Sequence, residues 1–183
     1  MKGKFKEIIM PTLILGAVCL ISASAVVGVN AITRDSIREA QTETAERTRK
    51  IVLSDAQSFE EAEGYIIGMD GSDIVGYVFE TEAKGYGGTI KVMTGILKNG
   101  TVGGVAILEH NETPGLGANA QGEEFRAQYQ QDISRDDLEL TKDGQSSGRV
   151  EAITGATITS RAVTGAVNKA AEMYRRIEEG GAP

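Results

Sequence analysis

Apolar and polar positions alternate along this chain in four regimes. From Ile8 to Val29 the sequence is uncharged and almost wholly apolar, 22 residues that as a helix would rise about 33 Å, enough for a roughly 30 Å bilayer core. From residue 30 to 53 it is polar, charged and free of Gly and Pro, with apolar positions too sparse for a buried stripe, which predicts a polar helical connector. Between residues 64 and 108 the period shortens to two. Gly64–Met69, Ile74–Glu80, Thr89–Leu97 and Thr101–Leu108 read as strands, joined in part by Asp70-Gly71-Ser72 and by Lys98-Asn99-Gly100, an Asn-Gly hairpin signal. Residues 54–63 carry no clear period, and 138–148 read as turns. A short helix is predicted over Glu123–Gln131. After Arg161 the period becomes helical again, with Val163, Val167, Ala170, Ala171, Tyr174 and Ile177 on one stripe to about Glu178. An antiparallel meander has an apolar face to cover, and this last helix is its natural cover. The fold class is therefore α+β.

The flanks of the first segment sharpen its reading. Lys2, Lys4 and Lys6 precede the apolar run and only Arg34 follows closely, which predicts a single-pass transmembrane helix over 8–29. Residues 1–7 would then lie in the cytoplasm and the domain over 54–183 outside it, at the cell membrane. Ala23-Ser24-Ala25 resembles a signal-peptidase site, but the run continues through Val26, Val27 and Val29, longer than a signal core. Cys19, the sole cysteine, lies deep in the run behind a bulky Val18 and reads as an apolar residue. A single cysteine excludes an internal disulfide and any thiolate cluster. The net charge of −7 argues against nucleic acid. No Gly-x-Gly-x-x-Gly stands between a strand and a helix, so no direct NAD binding is expected.

Three polar or glycine-rich stretches remain. Lys84-Gly85-Tyr86-Gly87-Gly88 links two strands, where missing side chains let backbone turn tightly or lie against a flat group. His110-Asn111-Glu112-Thr113-Pro114-Gly115-Leu116-Gly117 follows the last strand. One histidine and one glutamate do not make a metal set, and none is assigned. Glu151-Ala152-Ile153-Thr154-Gly155-Ala156-Thr157-Ile158-Thr159-Ser160 gathers four hydroxyls ahead of the final helix, where Thr159 or Ser160 would cap it and anions are favoured. On its own this cluster reads most simply as a decorated helix start.

Taken together, Gly85-Tyr86-Gly87-Gly88, Glu112-Thr113-Pro114-Gly115-Leu116-Gly117 and Thr154-Gly155-Ala156-Thr157 with Thr159-Ser160 resemble the G subunit of the Rnf electron-transport complex. The related C subunit of the sodium-pumping NADH:quinone reductase is the alternative, and a non-enzymatic anchored module is a second. The resemblance implies an FMN-binding domain with FMN joined through its phosphate to Thr157, by a separate flavin transferase that reads Glu151 and Thr154. It implies cofactor contacts from Gly85, Tyr86, Gly87, Gly88, Glu112, Thr113, Pro114, Gly115, Leu116, Gly117, Thr154, Gly155, Ala156 and Thr159. Glu151 stands where the family usually has Asp, a longer side chain with the same charge. The function implied is electron relay within an ion-translocating ferredoxin:NAD oxidoreductase, with the other Rnf subunits as partners and no catalytic residue in this chain alone.

Overall fold

The computed structural model describes residues 2–141 and 148–180; within the first helix, side chains are described at Met10, over 12–27, at Thr33 and from Thr44 onward. The chain divides into two units. Met1–Ala45 is helical wherever it is described, and Glu46–Pro183 holds the last turns of that helix and everything after it.

The first helix, α1 (Lys2–Val52), runs without a break from apolar into polar sequence. Here the reading of residues 8–29 is corrected. Among the described residues no helix is long and apolar enough to cross a membrane. The side chains of Ile8, Ile9, Pro11, Gly28 and Val29 lie outside the described residues. The transmembrane helix, the single-pass topology and the cell-membrane location drawn from that run fall with it.

The second unit is an antiparallel sheet flanked by helices. Its strands are β1 (Ser58–Ala62), β2 (Tyr65–Asp70), β3 (Asp73–Lys84), β4 (Thr89–Leu97) and β5 (Val102–Glu109), each hydrogen-bonded to its neighbour in sequence. After a 3-10 turn (Gly117–Gln121) come α2 (Glu123–Ala127), then β6 (Glu139–Thr141) and β7 (Arg149–Glu151), and finally α3 (Thr157–Glu178). The predicted meander is present. The predicted second helix stops at Ala127 rather than Gln131, and α3 begins four residues before Arg161. Two features lack a clear period in the sequence. β1 is a charged edge strand with Glu60 and Glu61 exposed, and β6 pairs in parallel with β7 where turns were expected.

Both faces of the sheet are covered, which explains the unbroken burial from Gly76 to Phe79 and from Val92 to Ile96. One face carries Phe79, Ile90, Val92, Ile96 and Val105 against Val163, Ala166, Val167 and Ala170 of α3. The small alanines bring the helix near enough for the Thr81 hydroxyl to donate to the Ala166 carbonyl at 2.9 Å. On the opposite face Val52, Leu53 and Ala56 pack on Ile66, Val78, Met93 and Ala106. Gly95 and Gly104, opposite each other in register, form a notch for this crossing; a Cβ at Gly95 would lie 2.1 Å from the Val52 carbonyl oxygen.

At the far end of α3, Tyr174 donates its hydroxyl to the Lys98 carbonyl at 3.0 Å and packs against Tyr77. Burial, assisted by the charge of Glu178, pushes its phenol from 10.0 up to about 12. A raised folded-state value contributes stability that is present in full below pH 10. It is lost as the pH climbs from there through 12, because only the unfolded chain has released its proton. Tyr174→Phe is therefore expected to cost about 1 kcal/mol at neutral pH, one hydrogen bond's worth, and to flatten the alkaline fall in stability. Urea titrations at pH 7, 10 and 11 check both effects; an unchanged alkaline slope would refute the assignment.

Candidate functional site

Three loops meet beside the start of α3. The first, Gly85–Gly88, closes the β3–β4 hairpin with the Gly85 N–H donating to the Gly88 carbonyl at 2.8 Å. The second contains Thr113-Pro114-Gly115-Leu116, a turn closed by the Leu116 N–H on the Thr113 carbonyl at 3.1 Å. Pro114 sets its second position, and Gly115 supplies the positive φ of 77° that its third position demands. The third, Ile153-Thr154-Gly155-Ala156, repeats the device, with Gly155 at φ 77° and the Ala156 N–H on the Ile153 carbonyl at 2.9 Å.

Glu112 ties the first two loops to α3. Its side chain is buried at 6 % exposure. Oε1 accepts from the Gly87 N–H at 2.9 Å, and Oε2 accepts from the Thr159 hydroxyl at 2.5 Å. Its own N–H donates to His110 Nδ1 at 3.1 Å. The glycines around it are required by space. A Cβ at Gly85 would lie 2.4 Å from Oε1, and one at Gly117 would lie 2.5 Å from Oε2 and 2.7 Å from Thr159 Oγ1. Glu112 is thus a buried knot whose partners come from a hairpin loop and a helix.

The start of α3 differs from the capped helix that the hydroxyl cluster suggests. Ala156 is the N-cap and no side chain caps the helix. Thr159 gives its hydroxyl to Glu112. Ser160 donates to the Ala156 carbonyl and accepts from the Ile153 N–H, both at 3.0 Å, which holds the preceding turn against the helix. Thr157 occupies the first helical position, half-buried, and no acidic residue stands in that first turn.

A cleft of about 500 Å³ opens between the loops, lined by Tyr86, Glu112, Thr113, Leu116, Gly117, Gly155, Ala156, Thr157, Ile158 and Thr159. That volume lies in the range of small-molecule sites, roughly 300–1,000 Å³. Its rim is apolar and exposed, with Tyr86 at 73 %, Leu116 at 45 % and Ile158 at 49 %. The cradle suits a flat apolar ring bearing a phosphate. Glycines bring backbone to the surface, apolar side chains stand on the rim, and a helix start without acids lies at one end.

Most of the residues singled out in the sequence meet here, in different capacities. Gly85 and Gly87 do not line the cleft but abut Glu112, Gly88 closes their hairpin, and Pro114 and Gly115 shape the turn without lining the cleft. Thr154 and Glu151 face a neighbouring hollow, about 580 Å³, with Asn119, Glu124 and Gln128. Ile158 is the lining residue that sequence reasoning passes over; its signal was an apolar side chain lying off the buried stripe of α3.

The family model described as FMN-binding domain matches residues 85–172. The chain is 37 % identical over 157 residues to the G subunit of the proton-translocating ferredoxin:NAD+ oxidoreductase complex of Clostridium ljungdahlii, covering 84 % of each chain. It is 32 % identical over 190 residues to the Na+-translocating counterpart of Acetobacterium woodii, covering 91 % of each. The chain belongs to the family of G subunits of ion-translocating ferredoxin:NAD+ oxidoreductase complexes, related to the C subunits of the NADH:quinone reductases. Among solved structures it is similar to Shewanella oneidensis NqrC, with a TM-score of 0.51 and 26 % identity over 57 % of this chain and 52 % of that one. The C subunit of the Na+-translocating NADH-quinone reductase from Parabacteroides distasonis shares the fold, with a TM-score of 0.53, 21 % identity and 62 % and 60 % coverage.

Proposed function

We propose that this chain is the electron-relay subunit of such a complex and carries FMN as a phosphoester on Thr157. The observation that carries the reading is the position of Thr157, at the first residue of α3 on the wall of the glycine-backed cleft. Bound there, FMN would accept electrons from one redox partner and pass them to the next. The chain's own residues do the rest. Thr157 supplies the tether, and the turn at Thr154-Gly155-Ala156 keeps the approach to its hydroxyl free of bulky side chains. Glu112, through Gly87 and Thr159, fixes the loops that face the ring. Tyr86, Leu116 and Ile158 offer apolar surface around it. Their exposure leaves an edge of the cleft open toward a neighbouring protein, which suits relay between proteins and not enclosure of a substrate.

Attachment is the work of a flavin transferase using a donor in which FMN is held as a phosphoric anhydride. The Thr157 Oγ–P bond forms, the anhydride P–O bond breaks with its remainder leaving, and the hydroxyl proton passes to a base on the transferase. Glu151 and Thr154 are exposed on the hollow beside the cleft, where the enzyme can read them without entering the cofactor's place. Co-expression of the whole chain with an active flavin transferase is expected to give a band that fluoresces in a denaturing gel. Its intact mass should be raised by one FMN less one water. A dark band at the bare-chain mass, with the transferase shown active on another substrate, would end this reading.

A further inference from the structure

We propose that Arg161 is the counter-ion of the phosphate carried by Thr157, held over a groove that Gly165 keeps open; this rests on the phosphoester reading above. Thr157 lines two hollows, the cleft already described and a second of about 470 Å³ on its other side, shared with Arg161, Thr164, Gly165 and Glu139. Arg161 follows Thr157 by four residues in α3, so the two side chains are neighbours on one helical face, roughly 5–6 Å apart at Cβ. Among the described residues no carboxylate pairs with Arg161, whereas Arg175 and Arg176 of the same helix hold Asp137 and Glu172. The acid that lines this groove, Glu139, lies 3.9 Å from Arg149.

Gly165 stands one further turn along the same line. A glycine inside a helix is less favourable than alanine. Packing does not call for it, because a Cβ there would meet nothing within 4 Å. Its absence of a side chain does keep the floor of the groove low beside Arg161. The charge balance points the same way. A phosphodiester retains one negative charge in a chain of net −7, and an exposed guanidinium beside the ester oxygen offsets that repulsion with paired N–H donors.

The test uses the whole chain loaded by the transferase, as wild type, R161Q and R161K, with folding verified by circular dichroism. The phosphorus-31 resonance of the phosphodiester is read in each, with the same loaded chain unfolded in urea as reference. R161Q is expected to move the resonance by more than a linewidth toward the unfolded position and to remove its dependence on salt between 0.05 and roughly 0.5 M, the range over which exposed pairs become screened. R161K, which keeps the charge, is expected to stay close to wild type. A resonance in R161Q that coincides with wild type overturns the assignment, as does R161K departing as far as R161Q. Wild-type chain that acquires no FMN sinks the phosphoester reading itself, and this inference with it.

Discussion

Thr157→Ala is expected to abolish covalent flavin completely, while Thr157→Ser retains it and Thr154→Ala keeps the attachment point intact. The three threonines of the motif differ in what their hydroxyls are free to do. Thr159 is 1 % exposed and donates to Glu112, so its oxygen lies against a carboxylate and cannot be reached by a transferase. Thr154 is exposed but opens on the neighbouring hollow. Thr157 lines the cleft and has a side of its own facing out. Serine supplies the same oxygen without the methyl group, which is why it should rescue. In-gel fluorescence and intact mass decide the matter, and a fluorescent Thr157→Ala band would place the link elsewhere.

Glu112→Ala is expected to destabilise the domain by about 3 kcal/mol, from two lost charged hydrogen bonds, two stranded polar groups and a small cavity. For a unit of this size that lowers Tm by about 10 °C. Glu112→Gln should cost about 1 kcal/mol. The amide oxygen can still accept from Gly87, and the amide nitrogen can donate to the Thr159 oxygen, which as a hydroxyl can reverse its role. Thermal unfolding of the three chains separates the hydrogen-bond geometry from the charge. If the glutamine variant falls as far as the alanine variant, the carboxylate acts through its charge and not through its bonds; if neither falls, the knot carries no stability.

The sheet was legible because β2 to β5 alternate between two covered faces and are separated by glycine turns. β1 was not, since an edge strand such as Ser58–Ala62 protects itself with Glu60 and Glu61 and so loses its apolar period. β6 and β7 are three residues each, and their pairing depends on chain returning from a distance, which no local pattern encodes. The start of α3 was misplaced for a different reason. Four hydroxyls within seven residues suggest a cap, but Ser160 and Thr159 engage the preceding turn and Glu112. The motif residues themselves could be named from sequence. That Glu112 would be buried and shared between a hairpin loop and a helix could not, because it and Thr159 stand 47 residues apart and meet only in the folded chain. The apolar run at the N-terminus shows the opposite failure, in which length and flanking charge suggested a span that the described helix does not supply.

The Glu112 knot also sets an order of events. One of its bonds reaches back to Gly87 and another reaches forward to Thr159, so a chain released or truncated short of α3 has no closed cleft. The closed cleft is a property of the chain folded through α3. On the proposed chemistry the tether is covalent, so a loaded chain that later loses this closed cleft keeps its flavin and stays fluorescent.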